Sequence, residues 1–208
     1  MIRGGFFTRR PNARPIWRRT GQGVPTTMYT HVVLLRGVNV GKAKRVPMAD
    51  FKALLLALGC NEVQTLLNSG NAVVAMPKVS AATLSDETAA ALHDKFGFDV
   101  PVVVKSIADF RAIFAGNGLV SESSDPSRVL VAFAQTATTL KGLAEISKIV
   151  RPPDQFLMGK KAAYLTCPNG ILKSSAAIAL LGKAGQAVTT RNWATVLKLH
   201  DAATVPRI

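Results

Sequence analysis

Val33-Leu-Leu-Arg-Gly-Val-Asn-Val-Gly-Lys-Ala-Lys-Arg-Val-Pro47 is the stretch around which the rest of the chain is organised. An apolar run enters a loop punctuated by Gly37 and Gly41, and Pro47, with its fixed φ, suits the first position of a helix. Arg36, Lys42, Lys44 and Arg45 stand in this first loop with no carboxylate among them. Its local chemistry is that of a place to hold an anion.

Outward from the loop, residues 31–38 read as a buried strand. Residues 48–58 read as a helix with Phe51, Leu54, Leu55 and Leu58 on one stripe and Gly59 as a left-handed cap. Residues 62–67 and 72–76 read as strands joined by the turn Asn68-Ser69-Gly70-Asn71. A helix over about 85–96, closed by Gly97, a strand over 100–105 and a short helix through Phe114 come next; Ser106 and Asp109 form a capping box for the last.

After a polar linker over 117–127 the same order begins again. The pattern predicts a strand over 129–134, a helix over 140–150, strands over 156–158 and 163–167, a helix over 174–183 and a strand over 187–190. A terminal helix starts near Asn192, with Trp193, Val196, Leu197 and His200 on one face. The expected fold class is α+β, a tandem duplication of a ferredoxin-like βαββαβ unit, each unit followed by a short helix. The units are expected over 29–116 and 128–208, behind a disordered Arg-rich extension over 1–27. Val32-Val33-Leu34-Leu35, Val102-Val103-Val104 and Val129-Leu130-Val131 are apolar at every position, so both sheet faces are expected to be buried. The second unit is expected to cover the open face of the first, giving one compact body. Phe133 and Tyr164 then read as core, rather than as the base-stacking aromatics of an open RNA-binding sheet.

The chain has 208 residues, 48% of them hydrophobic, which is enough for a core of ordinary size and excludes disorder throughout. Its apolar runs fall far short of a membrane-spanning helix, so no membrane partner is expected. Cys60 and Cys167 form no C-x-x-C pair, which points to a reduced, cytoplasmic setting. The net charge is +14; Arg3, Arg9, Arg10, Arg14, Arg18 and Arg19 contribute to it from a stretch without an acid, and of the remainder the second half is the more basic. This excess favours polyanions or anionic ligands as partners, with an anionic small molecule and nucleic acid both open, and leaves the oligomeric state undetermined. For the Arg-rich stretch, an upstream-translated or mis-assigned start is the preferred reading, since Met28 stands just before the ordered pattern; a transit peptide and a basic arm are the alternatives.

Three motifs in order, Leu-Leu-Arg-Gly-Val-Asn-Val-Gly at 34–41, Ser-Gly-Asn at 69–71 and Thr-Thr-Arg-Asn-Trp-Ala-Thr-Val-Leu-Lys-Leu at 189–199, closely resemble the domain of unknown function 1697 family. The resemblance runs from Tyr29 to about Ala203 and implies tandem ferredoxin-like units in a mostly bacterial family with no established activity to carry over. The chain departs from the family pattern at Lys42, where a second glycine is usual, at Asn68, where glutamine is expected, and at Ala194, where a polar residue is usual.

The first loop invites comparison with the phosphate-cradling P-loop, but it has one residue too few between Gly37 and Gly41. Ala43 also lacks the magnesium-binding hydroxyl, and Pro47 has no N–H to offer. What the loop retains is a plain anion contact from Arg36 and Lys42 around Gly37, Asn39 and Gly41, against a solvated loop whose glycines only permit the turn. The hairpin Asn68-Ser69-Gly70-Asn71 either satisfies a tight turn or projects its two side-chain amides beside the first loop to read a ligand's polar edge, with Ser69 and Asn71 as candidate contacts. The second trailing helix is entered through Thr189, Thr190, Arg191 and Asn192 without an acid. Its N-terminus is therefore a candidate phosphate or carboxylate site, unless Asn192 or Thr190 is simply the cap and Arg191 pairs with an acid of the chain itself. Lys173-Ser174-Ser175 opens another basic helix start. No motif calls for a cofactor, no histidine has a partner at metal-ligand spacing, and no catalytic residue can be named.

The residues support three functional readings. The first is a non-catalytic protein binding a phosphate-bearing ligand, nucleotide or nucleic acid through its basic loops. The second is an enzyme acting on a small anionic substrate, which predicts a concave pocket joining both units and a titrating group inside it. The third is an interaction module without a ligand, which predicts an exposed apolar patch.

Overall fold

A computed structural model describes residues 27–41, 43–121 and 124–204. The Arg-rich stretch, with all six of its arginines, and Lys42 lie outside the described residues. Strand β1 (Tyr29–Leu35) is followed by α1 (Met48–Ala57), β2 (Glu62–Leu66), β3 (Asn71–Met76), α2 (Ala81–Phe96), β4 (Val102–Ser106) and α3 (Ile107–Ala115). The strands form an antiparallel sheet in the order β2-β3-β1-β4. The pleat explains the apolar runs: Val33 and Leu35 point to α1 and α2, where Phe51, Leu55, Leu84 and Leu92 are buried, while Val32 and Leu34 point the other way. Ser80 caps α2 by accepting from Thr83 N at 3.0 Å, and Ser106 caps α3 by accepting from Asp109 N at 3.1 Å. Pro47 stands one position earlier than expected, as the residue before α1 whose carbonyl accepts from Phe51 N at 3.0 Å.

The second half repeats this order, with β5 (Val129–Ala134), α4 (Ala137–Lys141), α5 (Ala144–Ser147), β6 (Gln155–Met158), β7 (Ala162–Thr166), α6 (Ser175–Leu181), β8 (Val188–Asn192) and α7 (Trp193–Thr204). The second antiparallel sheet has the order β6-β7-β5-β8, the same connectivity as the first. Two expectations are corrected. The helix expected over 140–150 is two short pieces, broken where Gly142 and Leu143 interrupt the turn. The last strand runs on through Arg191 and Asn192, which pair with Val131 and Leu130.

The face that each sheet turns away from its own helices is covered by the other half. Val32, Leu34, Val73 and Val103 share one core with Val129, Val131, Phe133, Tyr164 and residues of α3 and α7. Phe110 of α3 stacks on Phe133 of β5 with centroids 6.0 Å apart, and Phe114 lies between Trp193, at 4.9 Å, and His200, at 3.9 Å, of α7. Tyr164 Oη donates to Ile113 O at 2.7 Å. Each such side chain is worth roughly 1.5–3 kcal/mol when fully buried, which is why these strands need no polar face. Among the described residues, no helix is long and apolar enough to cross a membrane.

Candidate functional site

The two halves differ most in the connection that leaves their first strand. In the second half only residues 135–136 separate β5 from α4; in the first, residues 36–47 separate β1 from α1. This first loop has left-handed φ at Gly37 (+66°), Asn39 (+58°), Gly41 (+63°) and Lys44 (+51°). Asn39 holds it in shape. Its Oδ1 accepts from Val46 N at 2.9 Å, and its Nδ2 donates to Val46 O at 2.9 Å and to Asn68 O, in the hairpin, at 2.7 Å. Its backbone N–H donates to Lys44 O at 3.1 Å. Val38 and Val46 plug the loop into the core beneath.

The hairpin turn occupies residues 67–70, one earlier than the sequence pattern places it. The residues with positive φ are Leu67 (+57°) and Gly70 (+73°), and Asn71 is already in β3. Asn71 is fully buried; its Nδ2 donates to Leu66 O at 3.0 Å and Ser69 Oγ at 2.9 Å. A Cβ on Gly70 would stand 2.5 Å from Leu35 Cβ, so only glycine lets the hairpin lie against the end of β1.

Arg191 projects from β8 into this junction. Its Nε donates to Asn71 Oδ1, and its Nη1 to Thr189 Oγ1 and Thr190 O, both at 2.8 Å. Its Nη2 donates to Leu35 O at 2.7 Å and Ser69 O at 2.9 Å, with Gly70 O at 3.3 Å. All five guanidinium N–H groups are therefore committed within the chain. Thr189 Oγ1 adds a bond to Leu35 O at 3.1 Å. Arg36 crosses in the opposite direction, from the first loop to Val188 O, with Leu181 O at 3.3 Å and Gly182 O at 3.4 Å. Every one of these acceptors is neutral, and burial pushes the Arg191 pKa down to about 10 and lowers that of Arg36. Both side chains remain cations at neutral pH, and among the described residues neither has a carboxylate partner.

Between the first loop and β8 lies a cleft of about 720 Å³. The loop contributes Arg36, Gly37, Val38 and Val40, and the hairpin contributes Ser69. Thr189, Thr190, Arg191, Asn192 and Thr195 form one wall; Leu35, Leu130, Ile171 and Leu181 form the apolar remainder. The start of α7 is closed by its own cap, Asn192 Oδ1 accepting from Thr195 N at 3.0 Å and Thr195 Oγ1 at 2.7 Å. Ser174 likewise caps α6 by accepting from Ala177 N at 3.0 Å.

Of the residues singled out in the sequence, the cleft gathers Arg36, Gly37, Ser69, Thr190, Arg191 and Asn192. Asn39, Gly41, Asn71 and Lys173 are not in its lining; Asn39 and Asn71 are spent on holding the loop and the hairpin. Sequence reasoning missed Thr195, whose spacing of three from Asn192 is a capping signal, and the apolar wall, which comes from elements remote in the chain. Among the described residues of the lining, none other than the two arginines is ionisable. Among the described residues no cluster of three or more metal-ligating side chains occurs.

A family model described as "Protein of unknown function (DUF1697)" matches residues 28–164, so the motif at 189–199 lies beyond the matched range. None of the curated proteins matches the chain. A solved structure, the conserved bacterial protein SP0830 from Streptococcus pneumoniae, shares the fold with a TM-score of 0.67 at 22% identity. The likeness covers 86% of this chain and 100% of that one.

Proposed function

We propose that this chain, which belongs to the DUF1697 family, is a non-catalytic binding protein for a small phosphate-bearing or otherwise anionic ligand, held in the cleft between the first loop and β8. The observation that carries the reading is the pair of guanidinium charges, Arg36 and Arg191, in the walls of one cleft with no carboxylate among the described residues of its lining. A positive charge taken out of water and left without a counter-charge raises the affinity of its surroundings for an anion. The cleft volume of about 720 Å³ falls in the range of small-molecule sites. The enzyme reading is less favoured, because the described residues of the lining include no carboxylate, histidine, cysteine or tyrosine.

In the same reading the halves are two ferredoxin-like units, over 29–116 and 128–208, supported by their common strand order. Cys60 and Cys167, unpaired in separate cores, support a reducing, cytoplasmic setting.

The test is a thermal-shift screen of the chain against nucleotides, phosphosugars, carboxylates and short nucleic acids, repeated with Arg36→Ala. A ligand at a hundred times its Kd adds about 2.7 kcal/mol, which is readily seen. Stabilisation of the wild type that is weakened in the variant and falls with salt supports the reading. No response, or an equal response of both, opposes it.

A second reading, an interaction module, is favoured by one observation. Val40 (73% exposed) and Leu181 (43%) line the rim of the cleft, and Leu172 (84%) and Ile178 (56%) lie on the same stretch as Leu181. Sedimentation of the wild type against Leu172→Asp and Ile178→Asp decides it: a self-association lost in the variants supports this reading, and a monomer throughout removes self-association as its basis.

A further inference from the structure

We propose that the first loop is a backbone oxyanion nest, and that the cleft takes the phosphate group of a phosphorylated sugar or polyol rather than of a nucleotide; this rests on the binding reading above. From Arg36 to Gly41 the sign of φ alternates, negative at Arg36, Val38 and Val40 and positive at Gly37, Asn39 and Gly41. Alternation of this kind turns successive backbone N–H groups toward a common point, the geometry that receives phosphates and other oxyanions. The amide inventory agrees. Arg36 N donates to Pro101 O at 2.9 Å and Asn39 N to Lys44 O at 3.1 Å, whereas Gly37, Val38, Val40 and Gly41 N–H have no acceptor among the described residues. Val38 is only 3% exposed, and an amide without an acceptor is rare in so buried a residue.

The nest is rigid and open. Asn39 locks the loop to Val46 and to the hairpin, so its amides are oriented before a ligand arrives. Among the described residues, chain neighbours aside, nothing lies within 4 Å of where a Cβ on Gly37 or Gly41 would stand. Gly37, Val38 and Val40 face the cleft, with the Arg36 and Arg191 charges beside them. The rest of the wall decides the ligand class. Asn192 Nδ2 and Thr190 Oγ1 have no partner among the described residues, and both suit the hydroxyl groups of a sugar. Among the described residues no aromatic side chain lines the cleft, so they offer a nucleobase no stacking surface.

The test is a backbone 15N–1H correlation titration of the full chain with inorganic phosphate, glucose 6-phosphate and AMP. The expected result is a saturable movement of the Gly37, Val38 and Val40 amide signals with all three. Glucose 6-phosphate is expected to bind about tenfold or more tighter than phosphate, and tighter than AMP, and also to move the Asn192 side-chain amide. If Thr190 and Asn192 respond while the loop amides stay still, the nest is wrong and the binding cleft stands. If AMP binds tighter than glucose 6-phosphate, the ligand class is wrong. If no cleft signal moves, both this inference and the binding reading fail. Arg36→Gln, which leaves the loop amides in place, is expected to weaken binding about tenfold while the same amides still move; their silence in a ligand-saturated variant overturns the nest.

Discussion

Arg191 and Lys105 hold equivalent places in the two halves. Each directly precedes the residue that caps its trailing helix, Asn192 or Ser106, and each donates to the last carbonyl of the other half's first strand. Arg191 Nη2 reaches Leu35 O at 2.7 Å, and Lys105 Nζ reaches Ala134 O. The reciprocal braces hold the two sheets together. They differ in load: Arg191 also gathers Asn71, Ser69 and Thr189, because the hairpin and the first loop crowd its end of the molecule.

Replacing Arg191 by lysine keeps the charge and one carbonyl contact but strips the acceptors on Asn71, Thr189 and Ser69. We predict a loss of about 3 kcal/mol, since buried polar groups left unpaired cost roughly 1–3 kcal/mol each. Urea unfolding measures this, and a loss below about 1 kcal/mol contradicts the network's importance.

Lys105→Met should lie within about 1 kcal/mol of the wild type or above it, because Lys105 makes one hydrogen bond against the cost of burying its charge. Burial lowers the Lys105 pKa, with Asp109 opposing and Lys161 reinforcing the shift. In the alkaline window below 10.5 the unfolded chain therefore binds more protons than the folded one, so stability rises with pH there. Denaturation midpoints between pH 8 and about 10 should show this rise diminished in the variant.

Gly70→Ala and Gly37→Ala separate backbone strain from crowding. Both impose an L residue at positive φ, but only Gly70 has Leu35 Cβ at 2.5 Å from the new atom, and Gly37 has open space. The expected losses are about 3 kcal/mol and about 1 kcal/mol respectively. Equal midpoint shifts in urea would contradict the packing of the hairpin against β1.

His31 is buried with its Nδ1 unpartnered among the described residues, and burial lowers its pKa against an opposing effect of the Tyr29 and Val79 backbone. As pH falls through 6.5 toward the lower folded value, the unfolded chain takes up the proton first, so stability declines. His31→Leu removes that decline. Thermal midpoints of the two proteins should diverge from pH 7 to about 5, with the variant the flatter.

Much of the fold was legible because apolar runs without alternation demand cover on both sheet faces, as Val32 to Leu35 do. The site was legible only in part. Arg191 was recognisable as a cation free of nearby acids, but whether it met a ligand or the chain depended on Asn71, Leu35 and Ser69, more than a hundred residues away. Its strand, too, ran further than propensity indicated, because pairing with Val131 extends β8 through a stretch that reads locally as a helix lead-in. The turn stands one residue earlier than the pattern placed it because Leu67, a residue without a turn preference, takes a positive φ.

The most direct measurement is diffraction from crystals grown without phosphate or sulfate and soaked in glucose 6-phosphate to saturation. Density for the phosphate group is expected inside the cleft, against the first loop and beside Arg36, with the sugar toward Thr190 and Asn192. A cleft that stays empty at saturating ligand, or a phosphate bound only elsewhere on the basic surface, contradicts the proposed binding.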